Sequence, residues 1–307
     1  MARVSIIIPA RNERFLPQTV ADLLAKAQGD VEVIAVLDGY WPDPALPNDP
    51  RLKILHRGKA LGMRPAINAA VQMATGQYLL KCDAHTMWDE GYDLKLQADY
   101  LEDNWVLTCR RYALDPEAWA IDTSNPKYPI DYHYLSNPYE RLDDPTCGMH
   151  GTEWRSRRAE RKDVLLDDEM SSQGSGWFMS RTHWDRTIKA LDYASYGSFV
   201  QEFQEVGLTT WLSGGAVKVT KNTWYAHLYK GKKYGRGYTM ADTNHQAGVV
   251  YTIEHWMHQR GKELRKLIEK FAPVPTWPAD LDEAFKDRRG LAAARFAKSA
   301  SDGKRVA

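Results

Sequence analysis

Tyr78-Leu-Leu-Lys-Cys-Asp-Ala-His85 is the stretch whose reading decides the fold. Behind the turn signal Thr75-Gly76, the apolar run Tyr78, Leu79, Leu80 reads as a short central strand. Asp83 and His85 fall at its C-terminal end, and side chains at i and i+2 on extended backbone point the same way. A carboxylate and an imidazole so spaced can grip one divalent ion together. Ligands of open α/β sheets bind at the carboxyl ends of strands, where this pair sits. Taken alone, Asp-x-His reads at least as well as a turn-capping aspartate followed by a surface histidine. Its flanks tip the balance.

Those flanks form a βαβ series. Val4 to Ile8 is largely β-branched, as a strand buried on both faces requires, and Pro9 is expected to end it. Leu16 to Ala27 places Leu16, Val20, Leu23 and Leu24 at helical spacing, with Pro17 in the first turn and Gly29 as the stop. Val31 to Leu37 is a second buried strand, ending at Asp38-Gly39, and a Pro/Asp-rich loop follows it. Leu52 to Leu55 is a third strand. Gly58 to Gly62 bounds a loop into a helix over 65–74. This order predicts a doubly wound α/β fold with a mostly parallel sheet. Asp38, at a strand's carboxyl end, is placed to accept from a ribose hydroxyl or a base N–H. Neither G-x-G-x-x-G after the first strand nor G-x-x-x-x-G-K-[ST] occurs, which disfavours dinucleotide and P-loop chemistry.

Composition narrows the class. The 307 residues can hold one large α/β domain or two small ones, and 43% hydrophobic with 26% charged residues is ordinary for a soluble globular chain. With 41 basic and 40 acidic residues the net charge of +1 argues neither for nor against a polyanionic partner, so local clustering must decide. Three cysteines, at 82, 109 and 147, make neither a disulfide framework nor a cysteine zinc site. The opening Met1 to Pro9 lacks a signal-peptide pattern, and no run nears the roughly 18 apolar residues that span a bilayer. A cytoplasmic protein with no membrane partner is expected. Nothing in the pattern specifies an oligomeric state.

The second half carries function-bearing segments. From Asp115 to Asp168 the periodicity degrades into prolines, tyrosines and the basic run Arg155 to Lys162, read either as an ordered insertion shaping a cleft or as a solvated loop. Gly174-Ser-Gly176-Trp177 is a small-residue turn feeding a strand, where backbone approaches a ligand closely. Phe199 to Leu212 reads as a helix with Glu202 and Glu205 one turn apart on one face. From Val206 to Ala241 there is no Asp or Glu, and Lys230-Gly-Lys-Lys-Tyr-Gly-Arg-Gly-Tyr238 has the glycines and cations of a mobile phosphate cover, with Lys230, Lys233 and Tyr234 inside it. Val249 to Phe271 is expected as one amphipathic helix, followed by a stiff Pro-rich connector and a basic helix fraying at Ser299.

With these parts in place, the chain resembles a GT-A-fold, family-2-like glycosyltransferase, particularly the catalytic domain of the polypeptide N-acetylgalactosaminyltransferases, over roughly residues 4 to 240. Ser5-Ile-Ile-Ile-Pro9-Ala-Arg11-Asn-Glu13 looks like that family's nucleotide-contacting opening strand and loop. Asp38 corresponds to its uridine-facing acid, and Gly62-Met-Arg64 to its Gly-x-x-Arg-type stretch. Asp83-Ala-His85 with Gly91-Tyr92 is similar to its metal motif; Glu202-Phe-Gln-Glu205, Trp211 and Gly214-Gly215 keep the spacing of its Glu-Asn-x-Glu helix, and His227 falls at its third metal ligand. Phe199-Val-Gln201 departs from the family's Trp-Gly-Gly. The resemblance implies a three-layer α/β/α catalytic domain over 1–245 and a helical, basic extension over 246–307.

It also implies a hexosyl- or N-acetylhexosaminyltransferase using a UDP-sugar donor and a divalent metal at Asp83, His85 and His227. Two nitrogens and one carboxylate suit Mn, Fe or Zn, and the resemblance selects Mn2+; a structural zinc site is the rival. Pro9, Arg11, Glu13, Asp38, Gly62, Arg64, Lys230, Lys233 and Tyr234 are the expected nucleotide-sugar contacts. Glu202 is the expected catalytic carboxylate, able to take the acceptor proton or hold sugar hydroxyls, with Gly176, Trp177 and Glu205 on the sugar or acceptor side. Retention and inversion at the anomeric carbon both stay open.

Three basic segments, Arg155 to Lys162, Lys230 to Arg236 and Lys286 to Arg305, are interleaved with Trp154, Tyr234 and Tyr238, a mixture that can follow a phosphate backbone and stack on bases. A hydroxymethylated base in DNA, turned out of the duplex, is therefore the leading acceptor. Protein Ser/Thr hydroxyls and glycans are the rivals, and solvated charge is the plain alternative. From another class, a non-catalytic nucleotide-sugar-binding module or a nucleotidyltransferase also stays open, although Pro9 to Glu13 holds no glycine for a triphosphate loop.

Overall fold

The computed structural model describes residues 2–140, 148–238, 243–287 and 290. Its strands are β1 (Val4–Ala10), β2 (Val31–Asp38), β3 (Leu52–Arg57), β4 (Tyr78–Cys82), β5 (Thr86–Trp88), β6 (Trp105–Asp115), β7 (Ala120–Ile121), β8 (His133–Leu135), β9 (Gly151–Glu153), β10 (Leu166–Asp168), β11 (Gly176–Ser180) and β12 (Ala216–His227). Its helices are α1 (Leu16–Lys26), α2 (Met63–Met73), α3 (Tyr92–Asp99), α4 (Arg155–Glu160), α5 (Arg181–His183), α6 (Tyr193–Tyr196), α7 (Glu202–Leu212), α8 (Gly231–Tyr234), α9 (Thr243–Tyr251), α10 (Gly261–Phe271) and α11 (Leu281–Ala284). π-helical turns occupy Trp184–Ile188 and Thr252–Gln259.

The main sheet runs β10-β12-β6-β11-β4-β1-β2-β3. The pairs β3/β2, β2/β1, β1/β4 and β6/β12 are parallel, while β11 enters antiparallel between β4 and β6. Alternation along β1 sorts the two faces. Ile6 and Ile8 pack with Leu16, Val20 and Leu23 of α1 and Leu96 of α3. Ile7 packs with Ala66, Ile67 and Ala70 of α2 and Phe203 and Val206 of α7. The result is the three-layer α/β/α arrangement with a mostly parallel sheet.

Several expectations are corrected. Pro9 does not end β1: it stays in register with Val36, and because the β4 pairing stops at Ile7, its missing N–H is not needed by a second neighbour. α7 starts at Glu202, since Gln201 takes a left-handed φ of 55°. The stretch expected as one helix over Val249–Phe271 changes to a π-helical winding after Tyr251 and breaks at Arg260, keeping Ile253, Trp256 and Met257 buried. Past the Pro-rich connector, α11 is one short turn capped by Asp280, and the fraying expected at Ser299 lies outside the described residues. Among the described residues of 115–168, Tyr132, Tyr134, Met149 and Trp154 share a core with Trp256, Leu264 and Phe271. Among the described residues no helix is long and apolar enough to cross a membrane.

One buried histidine makes stability pH-dependent. His183 ends α5 with Nε2 at 3.0 Å from the Thr210 hydroxyl. Burial, with help from Arg186, pushes its pKa down to about 4. The unfolded chain holds that proton up to about 6.5, so unfolding takes up a proton between these values and stability falls as pH drops through the window. In urea titrations from pH 7 to 5, the wild type is expected to lose more stability than His183→Gln. Parallel losses would show that His183 does not titrate on unfolding.

Candidate functional site

β4 ends at Cys82, so Asp83-Ala-His85 is a turn rather than the extended backbone expected, and it leads straight into β5. Asp83 N–H donates to Ser175 O at 3.0 Å, and the Thr86 hydroxyl donates to Asp83 O at 3.0 Å. β5 pairs with β12 so that His227 lies opposite Thr86, while Leu228 N–H donates to His85 O at 3.1 Å. The turn and this pairing together converge Asp83, His85 and His227, whose ligand atoms lie within 4.8 Å of one another. His227 Nε2 is 3.2 Å and His85 Nε2 3.9 Å from Asp83 Oδ2. Two imidazoles and a carboxylate are a donor set for a borderline divalent ion, and the residues fit one.

His85 and Asp83 are oriented from behind, whereas His227 Nδ1 is buried with no hydrogen-bond partner among the described residues. His85 Nδ1 lies 3.1 Å from Glu13 Oε2, leaving Nε2 on the Asp83 side, the kind of carboxylate–histidine contact that fixes metal ligands. Burial pushes Glu13 up, but His85 and Lys230 together hold its carboxyl below the usual range. Burial likewise works against charge on Asp83, yet Lys81 first, then the two histidines, keep it well below the carboxylate range. Burial pushes His227 down to about 4, against the raising effect of its Asp83 contact.

A cavity of about 740 Å³ opens over these ligands. Of the expected donor contacts it is lined by Pro9, Arg11, Glu13, Asp38, Gly62 and Lys230. Arg11 Nε is buried without a partner among the described residues, and its guanidinium lies over the Tyr238 ring at 4.9 Å. Asp38 accepts from the backbone N–H of Leu61 (2.9 Å) and Gly62 (2.8 Å), tying the preceding loop to the cavity floor. Gly62 has φ 105°, and a Cβ there would collide with Ser198. Lys233 and Tyr234 do not line the cavity: Lys233 lies over the Tyr234 ring, whose hydroxyl donates to Glu117 at 3.1 Å. The expected mobile cover contains a helical turn, α8.

A family model for glycosyl transferase family 2 matches residues 5–183, more than half of the chain. The chain belongs to that family. No curated protein sequence matches significantly. Among solved structures, GalNAc-T7 with UDP, GalNAc and Mn2+ is similar at a TM-score of 0.63 and 12% identity, covering 98% of this chain. The chain spans 58% of that protein's length. S. aureus TarS 1–349 is similar at a TM-score of 0.51 and 12% identity, covering 99% of this chain and 93% of TarS. At such identities these structures show the fold, a GT-A-type α/β architecture.

The remaining expected residues of this family-2 chain lie behind the cavity wall. Glu202 is buried; it accepts from Trp177 Nε1, and Lys81 Nζ stands 3.4 Å from its other oxygen. Burial raises its pKa, with Lys81 opposing. Gly176 pairs with Cys82 at the start of β11, and the Trp177 ring stacks on Trp184 at 5.9 Å. Arg64 and Glu205 face each other as a buried ion pair, the Arg64 guanidinium lying 4.2 Å from the Tyr196 ring centre. Neither lines the donor cavity.

Sequence reasoning missed Lys81, Tyr229 and Phe199, and gave Tyr238 to the acceptor rather than to this cavity. The last three line the cavity. Lys81 carried a signal: a charge between Leu80 and Cys82 in a buried strand demands a partner. Its ammonium donates to Asp83 Oδ1 at 2.7 Å and to the Gly174 carbonyl. Burial opposes its charge, but Asp83 and Glu202 prevail and hold it above the ordinary ammonium range. Removing one partner of a buried pair strands the other, so Glu205→Ala is expected to destabilise the fold by about 3–5 kcal/mol. A denaturant-measured loss below about 1 kcal/mol would refute a structural role for the pair.

Proposed function

We propose that this chain moves a sugar from a UDP-sugar to a hydroxyl acceptor, using a divalent ion, Mn2+, at Asp83, His85 and His227. The observation that carries it is the convergence of those ligand atoms within 4.8 Å at a cavity lined also by Arg11 and Lys230. The GalNAc-T7 structure, described with UDP, GalNAc and Mn2+, supports the choice of donor and ion. When bound, the ion supplies Lewis acidity at the departing diphosphate. The Arg11 guanidinium and Lys230 ammonium stand where they can neutralise charge developing on that group. Asp38 and Gly62 shape the opposite part of the cavity, which we assign to the nucleoside.

Glu202, expected as the catalytic carboxylate, is assigned here to positioning: it acts through Lys81, which holds Asp83. Transfer chemistry is assigned to 1–245 and a separate extension to 246–307, of whose described residues Trp256, Leu264 and Phe271 pack with Tyr132 and Trp154. Among acceptors, the cationic segments favour a hydroxymethylated DNA base over Ser/Thr side chains and glycans.

UDP-sugar hydrolysis is expected to stop in EDTA, return with Mn2+, and fall by roughly 100-fold or more in His85→Ala. Hydrolysis indifferent to both would sink the metal assignment. Glu202→Gln is expected to lower kcat at least about tenfold and to weaken Mn2+ binding, with donor KM little changed. Full activity in that variant removes Glu202 from the mechanism.

A further inference from the structure

A second cleft, of about 600 Å³, lies beside the donor cavity. Arg110, Lys127, Arg155, Arg158 and Lys162 line it against two carboxylates, Asp131 and Glu153. Asp131 forks onto Arg110 at 2.8 and 2.9 Å, and Glu153 faces Arg155 at 3.3 Å and Lys127 at 3.9 Å. Arg158 donates to the uncharged Lys127 carbonyl at 3.2 Å, and Lys162 has no ion-pair partner among the described residues. Five cations against two anions leave the cleft strongly positive in a chain of net charge +1.

The basic run that supplies this charge divides by helical spacing. Arg155, Arg158, Ala159 and Lys162 fall at i, i+3, i+4 and i+7 and face the cleft. Arg157 and Arg161 turn the other way. Arg157 lies over the rings of Tyr132, Trp154 and Phe271 at 5.1 to 5.4 Å, and Arg161 forks onto Asp167 at 2.8 and 2.9 Å. Arg157 and Arg161 are thus engaged by neighbouring rings and a carboxylate, whereas Arg155, Arg158 and Lys162 lie on the cleft.

The cleft adjoins the metal ligands through one aromatic contact. Between the lining residues Lys127 and Pro129, the Tyr128 ring meets that of Tyr229 at 6.4 Å. Tyr229 lines the donor cavity, is half exposed, and packs edge-on against His227 at 4.8 Å. Resting on the transferase proposal, we infer that this cleft binds the phosphodiester backbone of a nucleic-acid strand that carries the acceptor hydroxyl. The Tyr128–Tyr229 pair is the wall over which an unstacked nucleotide reaches the donor. An acidic peptide would use the cations but would gain nothing from the Tyr128–Tyr229 pair next to the cleft-lining residues Lys127 and Pro129, whereas bases stack on aromatic rings.

The test is fluorescence anisotropy of a labelled single-stranded oligonucleotide with the full chain and with the triple variant R155Q/R158Q/K162Q, across 50 to 200 mM salt. Three uncompensated cations predict a log–log salt slope of about −2, or roughly 15-fold weaker binding over that range, flattening towards zero in the variant. An abasic oligonucleotide of equal length is expected to bind more weakly than the base-bearing one. A slope unchanged in the variant, or equal binding of the abasic strand, overturns the inference; so does salt-insensitive sugar transfer to Ser/Thr peptides alone. UDP-sugar hydrolysis in water separates the two failures: its absence in the wild type sinks the transferase proposal, whereas anisotropy reads the cleft by itself.

Discussion

The Lys81 ammonium is the charge around which the site is assembled. It sits in the middle of β4, fully buried, where an unpaired cation would be prohibitively costly. Its partners come from three places: Asp83 two residues on, the Gly174 carbonyl leading into β11, and Glu202 at the start of α7. β11 must therefore lie directly beside β4, and it does so antiparallel, interrupting an otherwise parallel arrangement. Gly174 has no freedom to be anything larger, since a Cβ there would collide with the Glu202 carboxylate. The consequence reaches the cavity: with Oδ1 of Asp83 taken by Lys81, Oδ2 is the oxygen left facing both imidazoles.

α7 is fixed by a second buried charge one turn further on. Glu205 meets Arg64 from α2 and accepts from Asp192 N–H at 2.9 Å, while Arg64 also donates to the Val200 carbonyl at 2.7 Å. A helix held at two charged points on one face has little freedom to rotate, so the Glu202 carboxylate is presented to Lys81 by the same constraint that closes α2 onto α7. This accounts for the paired glutamates without placing either in the donor cavity.

The elements whose burial follows one simple pattern were legible from sequence. The apolar runs of β1 and β2 report strands buried on both faces, and the 3.6-residue pattern of α1 reports a single buried face. β6 was not legible, because Arg110 and Arg111 interrupt its apolar pattern and their partners lie 21 or more residues away, Asp131 for Arg110 and Gln173 and His133 for Arg111. α4 had no apolar stripe to reveal it, since none of its side chains is buried. In the site, Asp83 and His85 could be paired from their spacing only together with the strands that flank them. His227 entered only through family likeness, as 144 residues separate it from Asp83. That Glu202 and Glu205 turn away from the cavity depends on Lys81 and Arg64, whose partners no local pattern names.

The same separation in sequence explains how the cavity closes. Glu13 lies 72 residues before His85 and 217 before Lys230, yet its carboxylate meets both. Loop-closure entropy grows only with the logarithm of length, so a threefold longer separation adds about 1 kcal/mol. Even that overstates the cost, because β12 is already paired with β6 and β5 as far as His227, and Lys230 is the third residue beyond it. The stretch after β12 then meets one short loop again and again. Arg11 lies against Tyr238, Asn12 donates to the Gly237 carbonyl at 2.7 Å, Glu13 holds Lys230, and Phe15 packs edge-on against Tyr234 at 5.5 Å. Since Glu13 also contacts His85, the loop that meets the stretch after β12 is the loop that positions one member of the Asp83, His85 and His227 cluster.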